Sequence, residues 1–189
     1  MRFARTGRIL AAACCLTLTA CTGNDEPSAS TSGPQPTLTL GHRVRTAGVG
    51  GKGTAWIDPD TVVYARTTTF GAPEHGVFAV VNYRSGDGSE PRVTTTAERG
   101  GFRWKTPEGR TVKARNTKAA KKLAPIGFSE GGPVVAPKEW HQDVAVFDIA
   151  AAEKGGTLVY VDGKGVAFRW KIPGGNSGTA VPALKFALS

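Results

Sequence analysis

The position of the cysteines constrains the fold of this chain more than any other feature. All three cysteines, Cys14, Cys15 and Cys21, lie near the start of the 189-residue sequence. No disulfide can therefore form within residues 22–189, and that part must be stabilised by its apolar core alone. The same distribution excludes thiol catalysis, cysteine-ligated zinc and cysteine-ligated iron–sulfur clusters in that part of the chain.

The first twenty residues have the parts of a secretory signal in the usual order. Arg2, Arg5 and Arg8 form a positive n-region, and an apolar h-region follows at residues 9–20. As a helix this apolar segment would span roughly 18 Å, whereas the hydrocarbon core of a bilayer is about 30 Å thick. We therefore expect residues 1–20 to be a signal peptide rather than a transmembrane helix.

The signal ends in Leu18-Thr19-Ala20-Cys21, which resembles the lipobox of bacterial lipoproteins. The resemblance implies cleavage before Cys21 and a diacylglyceryl group on its thiol, since a thiolate forms a stable thioether. Two acyl chains anchor a protein stably, whereas one binds a membrane only marginally. Ordinary secretory cleavage at the same place is the alternative, although Leu18 suits its −3 position poorly. We expect a protein anchored by lipid to the extracytoplasmic face of the cell membrane.

The segment after the lipobox has the composition of a disordered linker. Residues 22–36 are rich in Ser, Thr, Pro and Gly, and they contain no aliphatic side chain larger than Ala. Such a segment cannot bury enough apolar surface to offset the entropy lost on ordering. The predicted organisation is therefore a lipidated cysteine and tether over 21–36, followed by one domain over 37–189.

The remainder of the sequence favours β structure. Short runs of β-branched and aromatic residues alternate with Gly- and Pro-containing turns, and two pairs of runs read as hairpins. The predicted strands lie around 60–70, 76–83, 102–105, 112, 140–146, 157–161 and 166–172. This pattern predicts an all-β antiparallel sandwich.

The sequence also predicts one helix and a final edge strand. Residues 116–123 are the only stretch that reads as a helix, and Asn116 is the expected N-cap. The alternation of Leu184, Phe186 and Leu188 predicts a final edge strand that begins near Pro182.

One tetrapeptide occurs twice. Phe-Arg-Trp-Lys stands at residues 102–105 and again at 168–171. On a strand, the aromatic residues face one side and the basic residues the other. We expect two strands that face the core, each with a solvated basic side; a duplicated binding ridge is the alternative.

Several of these runs together resemble a known family. The residues that carry the likeness are the strand at 76–81, the Trp strand and Glu-Gly-Arg turn at 102–110, Trp140, and the runs at 146–149 and 158–160. They resemble the Ig-like (telokin-like) domain of unknown function in Gram-positive secreted lipoproteins. The resemblance implies an Ig-like β-sandwich and assigns no reaction.

Two glycine motifs match known signatures in sequence, but the predicted structure around them does not fit those signatures. Residues 127–131 match the G-x-S-x-G nucleophile elbow around Ser129, but Gly132 and Pro133 interrupt the helix that the elbow needs. Residues 48–53 match G-x-G-x-x-G, but a strand and turn follow where a dinucleotide site needs a helix. We interpret the first as a surface loop and the second as a mobile hairpin loop.

The chain has few candidate metal ligands. His42, His75 and His141 are its only histidines, and their spacing matches no metal signature. We therefore predict no metal and no cofactor.

A basic cluster is the most promising candidate for a binding site. No acidic residue occurs between Glu108 and Glu130. Near an anionic membrane each basic side chain contributes about 1 kcal/mol, so the cluster predicts contact with anionic lipid or a wall polymer. A solvated basic face is the alternative. Nucleic-acid binding is disfavoured by export and by the absence of interleaved aromatic residues. The cluster consists of Arg110, Lys113, Arg115, Lys118, Lys121 and Lys122.

These observations predict a non-catalytic binding or structural module at the cell surface, with lipid, wall polymer or a surface protein as partner. The sequence leaves two other functions open. One is a small extracellular hydrolase that uses Ser129, and the other is a carrier of anions or metals.

Overall fold

The computed structural model describes residues 36–86 and 91–189 of the chain. The predicted signal peptide, Cys21 and nearly all of the predicted tether lie outside the described residues. The described helices include none that is long and apolar enough to cross a membrane.

Two β-sheets pack face to face, which confirms the predicted all-β sandwich. The first sheet has the spatial order β1-β11-β10-β6-β7, and the second has the order β2-β3-β4-β9. In chain order the strands are β1 (Thr37–Thr39), β2 (Val44–Ala47), β3 (Thr54–Ala65), β4 (Val77–Gly86), β5 (Val93–Thr94), β6 (Phe102–Lys105), β7 (Thr111–Lys113), β8 (Val134–Val135), β9 (Trp140–Ile149), β10 (Thr157–Val161) and β11 (Ala167–Lys171).

The pairing is antiparallel with one exception. The predicted hairpins β6–β7 and β10–β11 are both present, and β5 pairs with β8 in a separate short ladder. The exception is β1, which runs parallel to β11 at the edge of the first sheet. The loop at residues 48–53 joins the antiparallel strands β2 and β3, so the predicted hairpin loop is confirmed.

The two copies of Phe-Arg-Trp-Lys explain the core between the sheets. Trp104 and Trp170 lie opposite Leu158 from either side, and all three are fully buried. Each indole also finds a hydrogen-bond acceptor, as buried tryptophans usually require: Trp104 donates to the Glu153 carbonyl at 3.1 Å and Trp170 to the His42 carbonyl at 2.8 Å. The aromatic side chains therefore face the core, as predicted.

A layer of helices covers the outer face of the second sheet. Helix α1 (Lys118–Lys122) lies against β9, and helix α2 (Val181–Leu188) lies against β3. Alternate residues of β4 supply the two faces: Val81 packs between the sheets and Val80 packs under the helices. Both faces of this sheet are therefore buried, which explains the nearly continuous apolar run in β4.

The predicted final strand is wrong, because this segment is helix α2. Leu184 and Leu188 are four residues apart, so in a helix they lie on one face, and both are buried. Phe186, two residues from each, is exposed. Pro182 lies in the first turn, where proline is well tolerated because its missing N–H has no partner in a helix.

The predicted helix over 116–123 is present over a shorter range, but its predicted cap is wrong. Thr117 is the N-cap, and its hydroxyl accepts a hydrogen bond from the Ala120 N–H at 3.1 Å. The Asn116 side chain instead bonds both the N–H and the carbonyl of Asp148, each at 2.8 Å. Asn116 therefore ties this segment to the edge of β9.

Candidate functional site

A cavity opens along one side of the sandwich, where the edge strands β7 and β9 meet. Its volume is about 300 Å³, at the lower end of the range for small-molecule pockets. We call it the seam cavity. It is lined by Tyr83, Ala97, Glu98, Gly100, Phe102, Ala114, Arg115, Lys121, Val144 and Ala145.

Two polar residues lie at or beside the seam cavity: Tyr83 lines it, and Asp143 is the cross-strand neighbour of Tyr83. Tyr83 and Asp143 lie opposite each other on β4 and β9, and both are buried between the sheets. The Tyr83 ring packs against Phe102 with 4.6 Å between ring centroids. Burial raises the pKa of the Tyr83 hydroxyl well above its ordinary value, and the Asp143 carboxylate raises it further.

Asp143 is a weakly satisfied buried acid. One carboxylate oxygen accepts a hydrogen bond from the adjacent Val144 N–H at 2.8 Å. Burial raises the pKa of Asp143; that hydrogen bond and the Arg115 charge oppose the rise, and the Glu98 charge adds to it. The cavity therefore has beside it a carboxyl group whose pKa lies above its ordinary value.

Arg115 reaches this cavity through an unusual backbone conformation. Its φ is +56°, in the left-handed region that side chains other than Gly, Asn and Asp seldom adopt. The Arg115 N–H donates to the Val146 carbonyl on β9 at 2.7 Å, and the next residue, Asn116, brackets Asp148. Contacts with the edge of β9 therefore hold the conformation.

The structure divides the predicted basic cluster. Arg115 and Lys121 line the seam cavity. Lys113, Lys118 and Lys122 are exposed and form no ion pair among the residues described.

Arg110 is engaged elsewhere. Its Nε and Nη2 donate to the Glu153 carboxylate at 2.8 and 2.6 Å. Burial alone would raise the pKa of Glu153, but the hydrogen bonds from Arg110 hold that pKa below its ordinary value. Arg110 therefore belongs to a surface ion pair and not to the seam cavity.

Ser129 lies in a surface loop, as predicted. The loop at 127–131 contains no regular strand or helix, and Ser129 is exposed. Gly131 lies flat on the His141 ring, where a Cβ atom would stand 1.9 Å from the ring. Within the described part of the chain, no hydrogen bond joins the Ser129 hydroxyl to His141, the one histidine that follows it in the sequence.

The histidines are dispersed. Residues 36–86 and 91–189 contain no group of three or more His, Cys, Asp or Glu side chains that could hold a metal ion. His42 Nδ1 lies 2.8 Å from the Thr39 hydroxyl, and His141 Nε2 is buried with no hydrogen-bond partner among the described groups.

Sequence reasoning missed two residues that line the seam cavity, Tyr83 and Glu98, and the acid beside them, Asp143. The strand alternation contained a signal for two of them. Tyr83 follows Val81 at the spacing of two that faces the core, and Asp143 precedes Ala145 in the same way. Polar side chains at core-facing positions mark either a satisfied network or a site. No sequence pattern places Glu98 at the cavity, and its position there follows from the tertiary structure alone.

Comparisons with known proteins identify the fold but no family. No protein-family model matches the chain, and neither does any curated protein. The chain is similar to MPT63, a secreted protein of Mycobacterium tuberculosis, with a TM-score of 0.55 and 14% identity over 75% of this chain and 99% of that one. A candidate lipoprotein of Bacillus subtilis matches with a TM-score of 0.44 and 11% identity, over 68% of this chain and 38% of that one. The first likeness shows a shared β-sandwich fold, and the second is too weak to support an argument.

Proposed function

We propose that this protein is a lipoprotein anchored through Cys21 to the extracytoplasmic face of the cell membrane, where its sandwich acts as a non-catalytic binding module. The observation that carries the proposal is the motif Leu18-Thr19-Ala20-Cys21 directly after an apolar h-region. The linker over 22–36 has the composition expected of a tether between anchor and domain. The shared fold with a secreted mycobacterial protein accords with this location.

We also propose that the sandwich is an Ig-like (telokin-like) domain of Gram-positive secreted lipoproteins. Two antiparallel sheets with an aromatic inter-sheet core are the architecture that this class requires. The helical layer over the second sheet and the parallel strand β1 are additions to that plan.

The site geometry favours binding over turnover. A serine nucleophile needs a base within hydrogen-bond reach and a group that orients that base. Ser129 is exposed, and its loop is followed by β8 instead of a helix. Replacing Ser129 with Ala should therefore leave activity on a panel of ester and peptide substrates unchanged. A serine-dependent turnover would establish the hydrolase instead.

A basic surface is the proposed contact with an anionic polymer, either lipid headgroups or a wall polymer. Lys113, Lys118 and Lys122 are exposed and unpaired among the described residues. Lys113 lies on the edge strand β7, and Lys118 and Lys122 lie on helix α1. An anchored domain stays close to the membrane, so weak contacts of about 1 kcal/mol per charge suffice.

The basic surface is tested by exchanging these three lysines for Glu. The full-length variant should bind vesicles with 30% phosphatidylglycerol at least tenfold more weakly than the parent in cosedimentation, and capture less purified wall polymer. The matched control changes Lys52, Lys164 and Lys171 to Glu, three exposed lysines that lie outside β7, its neighbour β6 and helix α1. An equal loss of binding in both triple variants would show that binding depends on the net charge of the protein and not on the basic surface.

The anchor is tested by labelling cells with radioactive palmitate. Label should enter the parent and a Cys15→Ala variant, because Cys15 lies in the discarded h-region. It should be lost from Cys21→Ala, which should also leave the membrane fraction or remain uncleaved. Label in Cys21→Ala at the parental level would contradict the proposal.

A second candidate function, carriage of a small ligand, is favoured by one observation. The seam cavity gathers charged groups of both signs around an apolar interior. Binding of a small molecule there is compatible with anchoring and needs no catalytic residue.

A further inference from the structure

The seam cavity is lined by charged groups that have no partner of opposite charge among the described residues. Glu98 approaches it from the short helical turn before β6, and Arg115 and Lys121 approach it from the segment after β7. None of the three takes part in any ion pair within the described ranges. A protein surface with one acid and two bases around a cavity would ordinarily pair them, as Arg110 and Glu153 do nearby.

The backbone that carries these groups is fixed in place. The N–H of Thr96, beside Glu98, donates to the Tyr160 hydroxyl at 3.1 Å. The N–H of Lys121 donates to the carbonyl of the helix cap Thr117 at 3.1 Å. Pre-organised groups bind with less loss of entropy than mobile ones.

Arg115 is retained where its backbone conformation is unfavourable. A left-handed conformation is unfavourable for a residue with a Cβ atom, and Asn or Gly would lower that cost. Strain of this kind at a cavity is grounds for assigning a role to the side chain. A guanidinium is the side chain best suited to bind a carboxylate through two parallel hydrogen bonds.

The interior of the cavity limits the size and polarity of its occupant. The small side chains Ala97, Ala114 and Ala145 leave the space open, and Phe102 and Tyr83 complete its lining. At about 300 Å³ the cavity suits a ligand of a few to a dozen heavy atoms. The Glu98 carboxylate would repel an occupant that is only anionic.

We propose that the seam cavity binds a small zwitterion, namely an amino acid or short peptide with a free amino group and a free carboxylate. The carboxylate binds to Arg115 and Lys121, and the amino group lies toward Glu98. The apolar part of the ligand occupies the space beside Phe102. This inference rests on the proposed function as a binding module and names the ligand class of its site.

Isothermal titration of the full-length chain at neutral pH tests the ligand class. The probes are alanine, leucine and dialanine, with N-acetyl-dialanine and dialanine amide as matched probes that each lack one charge. At least one of the zwitterions should bind saturably, and removing either charge from dialanine should weaken its binding at least tenfold. Absence of binding by all three zwitterions, or equal binding by the capped forms, would overturn the proposal.

Variants test the assigned residues. Arg115→Asn keeps a residue that tolerates the left-handed backbone, so it should fold with equal or higher stability and yet bind the zwitterion at least tenfold more weakly. Glu98→Gln should weaken dialanine binding and bring N-acetyl-dialanine, which lacks the amino charge, closer to dialanine in affinity, while the ratio between dialanine and dialanine amide stays as in the parent. The matched control is Arg45→Asn, which removes an exposed guanidinium on β2 outside the cavity and should bind like the parent.

Parental affinity in a folded Arg115→Asn variant would refute the role of this side chain. Palmitate labelling at Cys21 is independent of these titrations. Failure of the ligand class therefore leaves the anchor intact, and failure of the anchor leaves the ligand class intact.

Discussion

Two buried aspartates on strand β9, Asp143 and Asp148, have very different surroundings. Asp148 is 0% exposed, and its carboxylate accepts hydrogen bonds from the N–H groups of Glu74 and His75, at 2.6 and 2.9 Å, and from the Thr117 hydroxyl at 2.9 Å. Asp143 is 3% exposed, and from the described residues its carboxylate accepts one hydrogen bond, donated by the N–H of its neighbour Val144.

The two aspartates differ in position: Asp148 is hydrogen-bonded into the fold, and Asp143 lies beside the seam cavity. Asp148 faces the helical layer, and its carboxylate joins the loop before β4, the cap of α1 and the edge strand. Asp143 faces the gap between the sheets and lies behind the seam cavity with Tyr83. A buried carboxyl group needs hydrogen-bond partners. Three donors bond to Asp148, whereas burial raises the pKa of Asp143.

The largest predicted effect is at Asp148. Asp148→Ala should lower the free energy of unfolding by about 3–5 kcal/mol, because it removes hydrogen bonds to a charged acceptor and leaves buried donors unsatisfied. Urea unfolding of the full-length chain measures the change. Asp143→Ala serves as the matched variant on the same strand, and a loss of equal size there would erase the contrast between the two acids.

A smaller effect is predicted at the Arg110–Glu153 ion pair, in which the Glu153 carboxylate accepts hydrogen bonds from a surface arginine. Arg110→Ala should cost about 0.5–1 kcal/mol, since Arg110 is half-exposed and solvent screens the pair. Because folding lowers the pKa of Glu153, this contribution is present above the ordinary pKa of 4.5 and is lost as the pH falls through the lowered value. Lys113→Ala, the exposed control, should change stability by less than about 0.5 kcal/mol. A cost at Arg110 as large as that at Asp148 would show that screening is overstated.

The smallest effect is predicted for Asp143→Asn, and it depends on pH. Folding raises the pKa of Asp143, so its favourable contribution is complete below the ordinary pKa of 3.8 and is lost as the pH rises through the raised value. The Asn variant should therefore gain stability relative to the parent between that region and neutral pH. Urea unfolding across this range measures the difference, and a variant that loses stability at neutral pH would mean that the Asp143 charge is compensated after all.

Much of the fold follows from local pattern. Strands β4, β6, β9, β10 and β11 were predictable because apolar alternation and turn residues coincide there. The segment that forms helix α2 was not predictable, because Leu184, Phe186 and Leu188 fit a strand and a helix equally over so few residues. Burial against the second sheet decides in favour of the helix. The Asn116 cap failed for a related reason: the tertiary contact with Asp148 takes its side chain away from the helix.

The site was less predictable than the fold. The cluster of basic residues led to Arg115 and Lys121, but charge along the chain does not indicate which side chains converge. Arg110 and Arg115 are equally basic, and the partner Glu153, 43 residues from Arg110, removes one of them from the cluster. Only the meeting of β7 and β9 shows that Glu98 and Asp143 belong with Arg115.

The most direct test of the distinction between the two acids is a heteronuclear NMR titration of the isotope-labelled full-length chain with dialanine. Amide signals around the seam cavity, from Glu98, Ala114, Arg115 and Val144, should shift in a saturable manner, while those of Glu74, His75 and Asp148 remain in place. Shifts centred on Asp148, or no saturable shift at the seam cavity, would contradict the assignment of Asp143 and its neighbours to a binding site.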